Sequence, residues 1–231
     1  VDLTSWGHDL PGQPQLGALV GRILKLAPEL PMLRLSSIDA AELDDQLFEL
    51  VTQHDRIAPH LHLSLQHGDD LILKRMKRRH SRAQAIALSE RLKHARPNIA
   101  LGADLIAGFP TEEEAHFANS LSLIAACQLA YVHAFPYSPR PGTPAARMPQ
   151  VDRATIKQRA ARLREAGEAA LRRHLDAWVG KEADVLVERE GFARLSDFST
   201  AAFQPPSQPQ AGGTTKLRFT HHDGAQLIGE P

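Results

Sequence analysis

The sequence has very little cysteine: Cys127 is the one cysteine in 231 residues. One thiol cannot form a disulfide within the chain, and an iron–sulfur cluster needs several thiolates. The apolar, helix-forming neighbours of Cys127 predict a buried thiol rather than a nucleophile or a ligand. We therefore expect no metal ligands in this chain.

Long apolar runs and several common cofactor motifs are also missing. The sequence has no run of about eighteen apolar residues and no basic-then-apolar leader, so we expect a cytoplasmic protein with no membrane partner. It contains no G-x-G-x-x-G, G-x-x-x-x-G-K-[ST], G-x-S-x-G or H-E-x-x-H. Dinucleotide-binding folds, P-loop enzymes, α/β hydrolases and zincin-type sites therefore lose their main support.

The chain as a whole has no excess of either charge, but positive charge is concentrated in one segment. The 27 Lys and Arg residues balance the 27 Asp and Glu residues, so net charge indicates no partner. Between Ile72 and Asn98, however, nine Lys and Arg stand against one acid, Glu90. Such a segment attracts phosphate backbones, although a solvated helix face balanced by acids elsewhere gives the same pattern.

Strand-like and helix-like segments alternate along the first three quarters of the chain. Apolar periodicity predicts helices between strands, and a long amphipathic helix over 151–178. The predicted strands lie at 32–36, 60–66, 99–109 and 130–135. Alternation with short connections implies parallel strands in an open sheet or a barrel, with ligands at the carboxyl rim of the strands.

Two of these segments carry more specific signals. In 60–66, leucines alternate with polar residues that include Ser64 and Gln66, so the strand either delivers polar groups to a site or is an ordinary half-exposed strand. Thr111 begins a T-x-x-E capping box and is expected to start the helix after the third long strand.

The last part of the chain changes character. After about residue 175 the pattern becomes short alternating strands, four of them, with a Pro/Gln/Gly linker at 204–213. This predicts a small all-β barrel and two domains, 1–175 and 176–231. The chain opens at Val1 in what reads as the end of a strand and a loop, so we expect further sequence upstream.

Five segments, in this order, resemble the methylthiotransferase branch of the radical S-adenosylmethionine (SAM) enzymes. They are VDLTSWG at 1–7, LRLSSID at 33–39, PHLHLSLQHGDDLILKRMKRRH at 59–80, GADLIAGFPTEEEAHF at 102–117 and HAFPYSPRPGTPAARMPQV at 133–151. The similarity spans nearly all of 1–178, and the final module resembles the RNA-binding TRAM domain.

The resemblance also indicates a branch. HLHLSLQ and the following M-K-R-R are most similar to the enzymes that modify threonylcarbamoyladenosine beside the anticodon of tRNA. Sister branches act on isopentenyladenosine in tRNA or on a ribosomal-protein aspartate. His67 departs from the small residue that is usual after the glutamine.

The resemblance implies a fold and a reaction. The fold would be α/β, a partial parallel (β/α) radical SAM barrel that lacks its first strands, followed by a small all-β TRAM-like barrel. A deoxyadenosyl radical would abstract hydrogen at carbon 2 of the adenine, sulfur would be inserted, and a second SAM would supply the methyl group. The partner would be tRNA, and the protein a monomer.

The resemblance further implies roles for individual residues. SAM would contact Asp2, Thr4, Ser64, Gln66, Ile106, Ala107, Gly108, Phe109, His133 and Phe135. The phosphates of tRNA would contact Lys74, Arg75, Lys77, Arg78, Arg79 and Arg140.

One departure from the family decides what this chain can do alone. The full-length parent would hold two [4Fe–4S] clusters, but the family's CxxxCxxC and its three further cysteines are absent here. We therefore expect a C-terminal fragment that contains no catalytic residue and is inactive alone. The alternative is a non-catalytic RNA-binding protein built from a degenerate half barrel and a TRAM-like module.

Overall fold

The structure is a computed structural model that describes residues 3–204 and 211–231. By its internal contacts the chain divides into two units, Val1–Gly167 and Glu168–Pro231. The division falls inside the longest helix, so each unit contains part of that helix.

The first unit alternates strands and helices around a parallel sheet. Its four strands pair in the order β1-β2-β3-β4, and every pairing is parallel. The elements are α1 Leu16–Leu26, β1 Ser37–Ile38, α2 Asp45–Gln53, β2 His60–Gln66, α3 Asp70–Arg75, α4 Arg82–Ala95, β3 Ala100–Ala107, α5 Glu114–Ala126, β4 Leu129–Pro136 and α6 Arg153–Asp176, with a 3-10 turn at Ala145–Arg147.

The alternation of side chains in β2 explains how the sheet is oriented. Leu61, Leu63 and Leu65 are fully buried, whereas the polar residues between them are partly exposed. Successive side chains of a strand point to opposite faces, so one face of the sheet is apolar core and the other carries the polar groups. In β3, Asp104 and Ile106 are only half-buried, because they lie on the polar-bearing face.

Two local predictions were wrong. The first strand was expected at 32–36, but β1 consists of Ser37–Ile38, and Leu33 makes a single isolated bridge to Ile57. Thr111 does not cap α5: Glu113 is the N-cap and forms a reciprocal capping box with His116. Thr111 and Glu114, and Glu113 and His116, both have the three-residue spacing of a capping box, so the motif alone did not fix which one forms.

The second unit is a closed five-stranded barrel in the order β5-β6-β7-β9-β8. Its strands are β5 Glu182–Arg189, β6 Phe192–Arg194, β7 Thr200–Phe203, β8 Thr214–His222 and β9 Leu227–Glu230. Four strands were expected; the fifth arises because the segment 192–203 turns back on itself to form both β6 and β7. Residues 205–210 of the predicted linker lie outside the described residues.

The barrel core is built from small and aliphatic residues together with two buried phenylalanines, Phe203 and Phe219. Val185, Val187, Leu217 and Phe219 are almost fully buried, and Trp178 packs edge-on to Phe219 with ring centroids 5.8 Å apart. These residues alternate with exposed ones along β5 and β8, as a closed barrel requires.

Two expectations from composition can be compared with the structure. Cys127 is fully buried, and burial raises the pKa of its thiol, which keeps the thiol protonated. Among residues 3–204 and 211–231, no helix is both long and apolar enough to cross a membrane.

Candidate functional site

The carboxyl ends of β2, β3 and β4 meet at one edge of the sheet and form a cleft. Gln66, Ile106 and Phe135 project into a hollow of about 420 Å³, and Arg140 lies on its wall. Parallel strands place their carboxyl ends together, which is why residues so far apart in sequence converge here. This edge is the natural ligand-binding side of the sheet.

A second hollow of about 410 Å³ adjoins the first one. Gln66 and Ile106 line both hollows, and Phe109 together with the cationic Arg75 and Lys77 lines the second. We call the two hollows together the rim cleft. Its walls are apolar at the strand ends and cationic at the end of α3.

The backbone at the rim is held in specific conformations. Gln66 has a φ of 64° and Gly108 a φ of 78°, both in the left-handed region. A Cβ at Gly108 would lie 2.4 Å from Cγ1 of Ile156, so the close approach of α6 requires glycine. The Gly108 amide donates to Glu112 at 3.0 Å, which fixes the turn after β3.

Of the residues expected to bind SAM, the structure brings four together around the rim cleft: Gln66, Ile106, Phe109 and Phe135. Ala107 and Gly108 form the backbone beside them, and the Ala107 carbonyl accepts from the Tyr137 amide at 2.8 Å.

Two other expected SAM contacts, Ser64 and Thr4, are not among the residues that line the rim cleft. The Ser64 hydroxyl hydrogen-bonds to the Ser37 hydroxyl at 2.6 Å. Thr4 is buried and donates to Glu42 at 3.0 Å. Asp2 lies outside the described residues.

The six cations expected to bind RNA fall into two groups. Arg78 donates to Asp39 at 2.9 Å and to the Ser64 carbonyl at 2.7 Å, and Arg79 pairs with Glu42. These contacts tie the basic segment to the loop after β1. The remaining four are Lys74, Lys77 and Arg140, which are exposed, and Arg75, which is half-buried and donates to Thr111.

The sequence did not identify a cluster of three side chains on the polar face of the sheet. Asp104 Oδ1 lies 2.9 Å from His62 Nε2 and 3.1 Å from His133 Nδ1. The hydrogen bond from His62 lowers the pKa of Asp104, against the opposing effect of burial, and His133 adds to the lowering. The available signal was a polar residue inside each of three apolar strands; the missing information was the register that aligns them.

A sequence profile of the radical SAM superfamily matches residues 6–124, more than half of the chain. The chain belongs to the radical SAM superfamily. The profile ends inside α5, so it includes β1, β2 and β3 and the rim residues that they carry.

This radical SAM chain is similar to curated tRNA methylthiotransferases. It is 50% identical over 198 residues to threonylcarbamoyladenosine tRNA methylthiotransferase MtaB of Rickettsia prowazekii, covering 86% of this chain and 47% of the relative. It is 39% identical over 191 residues to tRNA-2-methylthio-N(6)-dimethylallyladenosine synthase of Shouchella clausii, covering 82% and 36%. The resemblance to methylthiotransferases is confirmed, and the chain spans half or less of the length of these relatives.

A solved radical SAM structure shows the same fold. Coproporphyrinogen III oxidase HemN of Escherichia coli superposes with a TM-score of 0.53 at 13% identity, covering 94% of this chain and 56% of HemN. Together with the parallel sheet and the closed five-stranded barrel, this confirms the predicted α/β class, with a partial parallel barrel followed by a small TRAM-like barrel.

Proposed function

We propose that the chain is part of an enzyme that methylthiolates threonylcarbamoyladenosine beside the anticodon of tRNA. One observation carries the proposal: three strand ends form a cleft that suits a nucleoside, and cations lie on its border. The 50% identity to a threonylcarbamoyladenosine methylthiotransferase favours this nucleoside over isopentenyladenosine or a ribosomal-protein aspartate.

The lining of the rim cleft supports the proposal that SAM binds there. Ile106, Phe109 and Phe135 offer apolar surface to an adenine ring, and Phe135 leaves 48% of its surface exposed in the cleft. The Gln66 amide has donors and an acceptor for ribose hydroxyls. When bound, SAM and the iron–sulfur chemistry of the superfamily supply the radical and the methyl group.

The chain does not supply the ligands of a cluster. Cys127 is the one cysteine in the sequence and is fully buried, so its thiol cannot join a set of exposed thiolates. The proposal therefore assigns both [4Fe–4S] clusters to ligands outside this chain. The role left to residues 1–175 is to position SAM and the substrate base, and the chain by itself is inactive.

The cationic border of the cleft is proposed to contact tRNA phosphates. Lys77 and Arg140 are exposed in the lining of the cleft, and Lys74 is exposed on α3. Arg78 and Arg79 are instead engaged with Asp39 and Glu42. Phosphate contacts position a nucleic acid without reading its sequence. The TRAM-like module, 176–231, would add RNA contacts, and the protein would act in the cytoplasm as a monomer.

One observation favours a second candidate, a non-catalytic RNA-binding protein. The chain retains the cationic border but has only the buried Cys127 as a thiol. In that case the same surface would bind tRNA and no modification would follow.

The test is nucleoside analysis in a bacterial strain that lacks its own threonylcarbamoyladenosine methylthiotransferase. The strain receives the complete gene from which this chain is translated, and its tRNA hydrolysate is analysed by mass spectrometry. We expect 2-methylthio-threonylcarbamoyladenosine to return. Methylthiolation of isopentenyladenosine instead would assign the protein to the sister branch. Unmodified tRNA with the protein bound to it would support the non-catalytic candidate.

A further inference from the structure

His62, Asp104 and His133 offer three ligand atoms to a single point on the polar face of the sheet. His62 Nε2, Asp104 Oδ1 and His133 Nδ1 all lie within 4.8 Å of one another. The three residues come from the middle of β2, β3 and β4, which are neighbouring hydrogen-bonded strands. Ligands on adjacent strands are held more rigidly than ligands on loops.

The sheet makes room for this arrangement at Gly102. β2 pairs His62 with Gly102, and a Cβ at Gly102 would lie 2.9 Å from His62 Nδ1. Because glycine has no side chain, the imidazole can lie across β3 and reach Asp104, two residues further along. β3 in turn pairs Asp104 with His133 in register, which brings the third group alongside.

The geometry leaves one side of the cluster open to the rim cleft. Asp104 itself lines the first hollow, with Gln66 and Ile106 beside it. The His62 and His133 rings have their centroids 5.1 Å apart, and the Asp104 side chain between them keeps 29% of its surface exposed. An ion held by the three atoms would have free coordination positions on the cleft side.

The donor set selects a class of ion. Two imidazole nitrogens and one carboxylate oxygen suit divalent transition metals such as Zn²⁺, Co²⁺ or Fe²⁺, whereas Mg²⁺ and Ca²⁺ prefer oxygen ligands. Sites with three protein ligands and an open position are typical of catalytic zinc and non-haem iron centres. An iron–sulfur cluster is a different site, since it needs thiolates.

We propose that His62, Asp104 and His133 form a three-ligand site for a divalent transition-metal ion, with its open coordination facing the rim cleft. This differs from the expectation, drawn from the sequence, that the chain holds no metal ligands. The site does not depend on methylthiolation and goes beyond the proposed function. The competing account is a hydrogen-bond network that only holds the three strands together.

The test is metal binding by the purified 231-residue chain after treatment with a chelator. Isothermal titration with Zn²⁺ measures stoichiometry and affinity, and Co²⁺ in place of Zn²⁺ reports coordination through its visible absorption. We expect one equivalent of Zn²⁺, and a Co²⁺ spectrum typical of four or five ligands. A folded parent chain that takes up no stoichiometric Zn²⁺ would overturn the proposal.

Variants of the proposed ligands test whether these side chains bind the ion. His133→Gln and Asp104→Asn should weaken Zn²⁺ binding by about tenfold or more, since losing even a group outside the ligand set can cost that much. His133 is largely exposed, so its replacement should leave the fold intact. His94→Gln, at an exposed position of α4, is the matched control and should bind like the parent.

Two further results would also overturn the proposed metal site. One is unchanged Zn²⁺ affinity in both His133→Gln and Asp104→Asn. The other is loss of the bound equivalent on replacing His221 and His222, the adjacent histidines of β8, while Asp104→Asn keeps it.

Discussion

Glu112 accepts a hydrogen bond from His67 across 2.9 Å, and neither side chain has any exposed surface. His67 Nδ1 accepts the Asp69 amide proton at 3.0 Å, so His67 Nε2 carries the proton that it donates. The other carboxylate oxygen of Glu112 accepts from Arg159 at 2.8 Å and from the Gly108 amide at 3.0 Å. One buried carboxylate thus links the end of β2, the end of β3 and the beginning of α6.

Replacing this carboxylate should strongly destabilise the first unit. In Glu112→Gln the buried Arg159 loses its buried counter-charge and keeps only the exposed Glu114, 3.4 Å from its Nε; breaking a buried ion pair costs up to roughly 3–5 kcal/mol. We expect faster hydrogen exchange of the β2 and β3 amides, measured by mass spectrometry. Glu90→Gln, at an exposed position of α4, is the control and should change stability by no more than about 0.5 kcal/mol. Equal exchange in Glu112→Gln and the parent would contradict the role of Glu112.

Asp197 should make the second unit sensitive to acid. Burial alone would raise the pKa of Asp197, but hydrogen bonds from His174, Ser199 and Trp178 outweigh burial and hold the pKa below its ordinary value of 3.8. A carboxyl whose pKa is lower in the folded state stabilises that state above pH 3.8, and this contribution is lost as the pH falls through the folded pKa.

The measurement is thermal unfolding over a pH series. Asp197→Asn should be less stable than the parent at neutral pH, and the difference should shrink below about pH 4. Trp178 fluorescence reports unfolding of the second unit when Trp6, the other tryptophan, is replaced by phenylalanine. Asp184→Asn, at an exposed position of β5, is the control. A difference between Asp197→Asn and the parent that stays constant from neutral to acid pH would argue against this role.

Lys77 should contribute to tRNA binding, whereas Arg78 should contribute mainly to stability. Lys77 is exposed beside the rim cleft, so Lys77→Gln should weaken binding and lower the slope of log affinity against log salt by about 1. Arg78→Gln should reduce stability, because Arg78 bonds Asp39 and the Ser64 carbonyl.

The salt titration needs a control that removes the same charge elsewhere. Lys25→Gln replaces an exposed lysine of α1 and should leave the salt slope of tRNA binding at its parent value. If Lys25→Gln and Lys77→Gln lowered the salt slope equally, tRNA would be attracted non-specifically and not bound at the border of the rim cleft.

The sequence predicted the parts of the fold that depend on local periodicity. The alternating leucines of 60–66 placed β2 correctly, because one buried face demands that pattern. β1 was misplaced, since it has only two paired residues and its apolar neighbours carry the same signal. The boundary between β6 and β7 was missed because one alternating pattern continues through the turn.

The candidate site could be predicted only in part. Gln66, Ile106 and Phe135 follow from strand ends that converge in a parallel sheet. The engagement of Arg78 with Asp39 depends on a contact between residues 39 positions apart, which a charge run does not reveal. His67 was noted as a departure from the family, and its reason, the buried Glu112, became visible only in three dimensions.

The central claim, that the rim cleft holds SAM, is tested most directly by equilibrium dialysis of radiolabelled SAM against the purified chain. Ile106→Glu places a charge in both hollows of the rim cleft, and Leu71→Glu makes the same kind of change at an exposed position of α3. We predict that the parent and Leu71→Glu retain SAM and that Ile106→Glu loses it. Equal retention by both variants, or none by the folded parent, would contradict the claim.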